Sequence, residues 1–150
     1  CRLDEIYSAV KTPFEIRSGS EKVTRRFFKI CNNGRESFTG LYKSLTEQGI
    51  CKGHQCIAYG LYMRDNGIEL SEGLAVYGYS ICSAIVTNCV KLVPLSQLAG
   101  QKILGESFEL ISSASEKALF TDINDIGISG AGFDLRAMQH ERLYSRQYMS

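Results

Sequence analysis

Ser71-Glu-Gly-Leu-Ala-Val-Tyr-Gly-Tyr-Ser-Ile-Cys-Ser-Ala-Ile-Val-Thr-Asn-Cys-Val-Lys-Leu92 decides the fold class. Two apolar stripes descend it at helical spacing, one through Leu74, Tyr77, Ile81 and Ile85, the other through Ala75, Tyr79, Cys82, Val86 and Cys89. A helix apolar on most sides belongs in the middle of a bundle. The expectation is an all-α fold, a helical bundle around this one central helix. Tyr77, Gly78, Tyr79, Ser80, Ser83, Thr87, Asn88, Lys91 and Pro94 interrupt the run, which argues against a membrane span. Lys91 closes the helix where a cation opposes the dipole, and Pro94 ends it.

Working outward, Thr12-Pro13-Phe14-Glu15 reads as a helix start, with Thr12 as cap, Pro13 at the first helical position and Glu15 reaching back. That helix runs to about Cys31, with Asn32-Asn33-Gly34 closing it. Val23, Phe27 and Ile30 form its apolar stripe. A helix over roughly Glu36 to Gln48 presents Phe38, Leu41, Tyr42 and Leu45 and stops at Gly49. Another covers His54 to Asn66; Asn66-Gly67 reads as its stop in preference to a hairpin turn, because the flanks lack strict alternation. After Pro94, Ser96 caps a helix whose buried residues are Leu98, Ile103, Phe108, Leu110, Ile111 and Leu119. Thr121 to Gly132 is a loop, and a short helix from about Phe133 to Arg142 leads into the tail.

With 150 residues the expectation is a single all-α domain, 1–150. Seventeen Lys and Arg against sixteen Asp and Glu leave no net field for nucleic acid or an anionic membrane surface. The six cysteines include no C-x-x-C pair, which favours a reduced, cytoplasmic setting over a disulfide framework. The sequence opens on Cys1, not Met, and is expected to be part of a longer chain.

Two stretches stand out chemically. The end of the chain, Ala137 to Ser150, is dense in Arg, Tyr and Met, the composition of interface hot spots. If it is extended after Leu143, Tyr144, Arg146 and Tyr148 share one side, and Leu143, Ser145, Gln147 and Met149 the other. Cys51-Lys-Gly-His-Gln-Cys56 gathers two thiols and an imidazole within six positions, which makes Cys51, His54 and Cys56 candidate ligands of a small metal-binding module, although the spacing matches no standard zinc pattern. Gly127-Ile-Ser-Gly-Ala-Gly132 lacks the preceding strand and following Lys-Ser/Thr of a phosphate loop. His54 and His140 have no Ser or Cys partner at a recognisable spacing, so no catalysis and no cofactor are expected. Arg17 falls in the first turn of its helix, where a cation is mildly unfavourable and some other role must hold it.

Met138-Gln-His140-Glu141-Arg-Leu-Tyr144-Ser145-Arg146 resembles the terminal M-x-H-E-x-x-Y-S-R pattern of the urease accessory protein UreF family. Val90-Lys91-Leu-Val93-Pro94-Leu95-Ser-Gln97 with Gly100-Gln101 is similar to that family's V-[KR]-x-V-P-L-x-Q…G-Q run. Glu15-Ile-Arg17 and the pairing of His54 with Tyr59-Gly60 extend the likeness over nearly the whole chain, with the family's N-terminal third absent. The resemblance implies an all-α protein that dimerises, binds UreD (also called UreH), and recruits or modulates the GTPase UreG for nickel delivery to apo-urease. It implies a partner-binding set of Tyr144, Ser145, Arg146, Tyr148 and Met149, with His140 and Glu141 orienting the preceding turn and Lys91 and Arg17 as further candidates. Cys51 and Cys56 stand outside the family pattern.

Overall fold

A computed structural model describes residues 1–31, 34, 36–127 and 130–144. They form eight α-helices and one short 3-10 turn, Ile123–Asp125, with no strand among them, so the chain is all-α. The helices are α1 (Arg2–Val10), α2 (Phe14–Ile30), α3 (Phe38–Glu47), α4 (Gln55–Asp65), α5 (Leu70–Leu92), α6 (Gln97–Glu106), α7 (Phe108–Ala118) and α8 (Ala131–His140). They fall into two compact units, one of Cys1–Asp65 with Asn124–Ser150, the other of Asn66–Ile123.

In the first unit α3 packs on α4, and α2 packs on both α4 and α8. The core joins Phe28, Tyr42, Cys51 and Ala58, flanked by Phe27, Leu45, Ile57 and Leu61. Phe27 adds aromatic contacts to Tyr59 (4.6 Å between centroids) and, edge-on, to Tyr62 (5.3 Å), the offset geometries that ring quadrupoles favour. The buried face of α2 is one residue away from the stripe expected from sequence. Thr24 and Phe28 are buried, whereas Val23 and Ile30 are exposed. Thr24 can sit there because its hydroxyl donates to Ser20 O at 3.0 Å, which satisfies the polar atom internally.

Local signals set the helix ends. Ser37 Oγ accepts from Gly40 N at 2.9 Å to cap α3, and Ser96 Oγ accepts from Ala99 N at 3.1 Å to cap α6. Gly67, at φ 66°, follows α4 as a helix stop and not as a hairpin. Val93 is extended, as a residue before proline must be, and ends α5. The single helix expected after Ser96 is two. Ser107 divides them, its hydroxyl donating to Leu104 O at 2.7 Å. Of its expected buried residues Ile111 alone is buried, while Leu98, Ile103, Phe108, Leu110 and Leu119 are exposed; Leu104, which was not expected, is buried.

In the second unit α5 is the central element, on which α6 and α7 both pack. Burial on most of its sides is not observed: only Gly73 is fully buried, and Val76 and Ile85 are 61% and 57% exposed. Two helices cannot enclose a 23-residue one, so its far flank stays open. By length and composition α5 is the one described helix apolar enough to cross a membrane; its Ser80, Ser83, Thr87 and Asn88 also line an open surface groove. Tight approach is built in at Gly100, where an added Cβ would lie 2.7 Å from Val90 Cγ2 and 3.3 Å from Val86 Cγ1. Gly100→Ala is expected to destabilise the α5–α6 contact by about 1–3 kcal/mol. Gly105→Ala, with nothing within 4 Å of the new methyl, should be neutral or stabilising by up to about 1 kcal/mol. Thermal melts by circular dichroism distinguish the pair.

Candidate functional site

The start of α2 gathers residues from both ends of the sequence. Pro13, not Thr12, holds the N-cap position and no side chain of its own segment caps the helix. The cap comes from the end of α8: Glu141 Oε1 accepts from Phe14 N at 2.8 Å. Glu15 Oε2 lies 2.6 Å from His140 Nδ1. Arg17 Nη1 donates to Lys11 O at 2.6 Å and Thr12 O at 2.5 Å, so its cation closes the α1–α2 turn. That is the role that compensates a cation in a first turn. A carboxylate at the open N–H groups also complements the helix dipole.

Three expected partner-binding residues, Arg17, His140 and Glu141, thus meet here; Tyr144 follows three residues after Glu141 and is fully exposed. Ser145, Arg146, Tyr148 and Met149 lie outside the described residues. Lys91 lies in the last turn of α5, which belongs to the other unit.

Beside this junction lies a buried polar network that sequence reasoning missed, together with the whole of α1. Asp4, in the first turn of α1, is 3% exposed. Its Oδ1 accepts from Tyr42 Oη (2.6 Å) and Gly53 N (3.0 Å), and its Oδ2 from Lys52 N (2.9 Å). Tyr42 Oη in turn accepts from His54 N at 2.8 Å. Burial alone would raise the Asp4 carboxyl, but these donors outweigh it and hold the carboxyl below its ordinary value. Burial, with the adjacent carboxylate, pushes the Tyr42 phenol up. Gly53 is required at φ 86°, where a Cβ would also meet Thr46 Cγ2 at 2.7 Å. The available signal was the helical spacing of Leu3, Ile6, Tyr7 and Val10.

His54 is fully buried. Ser8 Oγ donates to Asp4 O (2.8 Å) and lies 2.7 Å from His54 Nε2. Because the hydroxyl has one proton, the ring must be the donor at Nε2, leaving Nδ1 as an acceptor, and that atom has no partner among the described residues. Tyr7 covers the ring at 4.6 Å. Cys51 Sγ faces Cys1 Sγ, and burial pushes the Cys56 thiol up, opposite to the lowered value expected at a helix start. No three His, Cys, Asp or Glu among the described residues could hold a metal together, Cys51, His54 and Cys56 included.

A family model described as UreF matches residues 1–107. The chain belongs to the UreF family of urease accessory proteins. Urease accessory protein UreF of Paenarthrobacter aurescens is 31% identical over 152 residues, covering 99% of this chain and 67% of that protein. The protein of the same name from Actinobacillus pleuropneumoniae serotype 3 is 33% identical over 150 residues, covering 99% and 66%, and that from Streptococcus thermophilus LMD-9 is 28% identical over 148, covering 98% and 62%. The chain spans about two thirds of the length of the curated relatives it matches. Within this UreF-family chain, the E-x-R and H-E motifs meet at one place, the start of α2.

The buried histidine sets a pH dependence. Burial lowers the His54 pKa from its ordinary 6.5. The unfolded ring thus takes up a proton that the folded ring resists, and stability is lost as pH falls below about 6.5. Asp4 adds a second loss once pH falls below 3.8, because its folded carboxyl stays ionised longer than the unfolded one. The urea midpoint is expected to fall between about pH 7.5 and about pH 5, and His54→Gln to flatten that slope even though it lowers stability overall.

Proposed function

We propose that the chain is a non-catalytic scaffold of urease maturation that binds UreD/UreH through the segment following α8. On this reading it recruits or modulates the GTPase UreG so that nickel, as cargo, reaches apo-urease. It works in the cytoplasm as a homodimer, and its recognition surfaces meet protein, not nucleic acid or membrane.

The observation that carries the proposal is the anchoring of α8. His140 and Glu141 are bound to Glu15 and Phe14 N on α2, so the exposed Tyr144 departs from a fixed point. A tail launched from a rigid helix loses less freedom on docking than one leaving a frayed end. Arg146 between Tyr144 and Tyr148 supplies a planar, multidentate cation flanked by two aromatic rings. In this mechanism the ordering cost of the tail is offset by aromatic burial and by charge-assisted bonds from Arg146. Lys91 and Arg17 act differently from the tail: Arg17 holds the turn before α2, and Lys91 offers a cation at the end of α5.

Co-purification with UreD from the same source tests the reading. The intact chain is expected to bind, and a chain ending at Arg142 to lose binding while keeping its helical circular dichroism. Arg146→Ala should weaken binding by about 2 kcal/mol or more, the usual loss at a hot spot. Full binding by the shortened chain would overturn the assignment of the tail.

A further inference from the structure

Cys1 and Cys51 are the one pair of thiols that the fold brings together among the described residues, with 3.6 Å between their sulfurs. Neither position is loose. Cys1 is the N-cap residue of α1 and its carbonyl accepts from Glu5 N at 3.0 Å. Cys51 N donates to Leu45 O at 3.2 Å. Between them, Asp4 holds the amides of Lys52 and Gly53, so the first turn of α1 is already tied to the residues after Cys51. The two thiols differ in access: Cys1 is exposed and Cys51 is 3% exposed.

We propose that Cys1 and Cys51 form a reversible disulfide, a redox-modification site whose oxidant is a small-molecule disulfide of the glutathione class. The exposed Cys1 thiolate attacks one sulfur of glutathione disulfide, forming a Cys1–glutathione mixed disulfide and releasing one glutathione thiolate. The Cys51 thiolate then attacks the Cys1 sulfur, breaks the mixed disulfide and releases the second glutathione. The two protons lost by the cysteines end on the two glutathiones. Two protein thiols are oxidised and one glutathione disulfide is reduced to two thiols. The order follows from access, because a tripeptide disulfide reaches Cys1 and not the enclosed Cys51. Closing the sulfurs to the roughly 2.05 Å of a disulfide needs a movement of about 1.5 Å, within reach of a side-chain rotation at the exposed residue. In a reducing compartment such a bond is transient and reports oxidation. Its effect here is to staple α1 across the Asp4 network.

The test incubates the native chain with glutathione disulfide, blocks remaining thiols with N-ethylmaleimide and maps tryptic peptides without reduction. The expected product joins the tryptic peptide that ends Cys1-Arg2 to peptide 44–52 as the dominant cross-link. Cys1→Ser and Cys51→Ser both lose it. Cys51→Ser should trap glutathione on Cys1, whereas Cys1→Ser should leave Cys51 unmodified; Cys1, being exposed, is replaceable without disturbing the fold. An oxidised native chain in which Cys51 is free, or is joined to another cysteine, overturns the proposal. So does equal glutathionylation of Cys51 when Cys1 is absent.

Discussion

A single buried carboxylate organises the first unit. Asp4 is out of water, and an ionised carboxylate there is tolerable only with its lone pairs filled. Three donors fill them: one hydroxyl from the middle of α3 and two backbone amides from the loop before α4. Each donor is thereby fixed in place, and the Tyr42 oxygen passes the order on to His54 N. The loop between α3 and α4 takes its shape from this charge as much as from its own sequence, including the backbone that only Gly53 fits. Removing the carboxylate would orphan several buried donors at once, which costs more than the loss of any one bond.

A second set of bonds joins distant parts of the chain without burial. Glu141 caps a helix begun more than a hundred residues earlier, and Glu15 meets His140 across the same gap. Exposed hydrogen bonds of this kind contribute little stability individually. Their value lies in direction: they fix where α8 ends and which way the chain leaves it. Residues that resemble a family signature, His140 and Glu141, are therefore here first as anchors of α8 on α2.

Several helices were legible in the sequence because caps and stops are local. Ser96, Gly67 and Pro94 each act where their chemistry says they should. Which face of a helix is buried was less legible. In α2 the period of four was right and the phase was wrong by one residue, because Thr24 satisfies its hydroxyl within its own helix and so can replace an apolar residue inside. The break at Ser107 was hidden, since Ser is an acceptable helical residue until its hydroxyl bonds back to the preceding turn. Asp4 and the thiol pair could not be read at all. Their meaning comes from partners forty to fifty positions away, and no spacing rule reaches that far. A family likeness singled out Glu15, Arg17, His140 and Glu141, but nothing in the sequence said that they meet.

The first unit is discontinuous in sequence, its last helix separated from the rest by the whole of the second unit. During synthesis, α2 leaves the ribosome with its N-terminal amide uncapped, and it remains so until α8 has been made. The second unit, continuous and locally connected, can form in the interval. Completion of the first unit then registers that translation has reached the signature residues. A chain that stops before α8 presents an open α2 start, so the cap of an early helix depends on a late one.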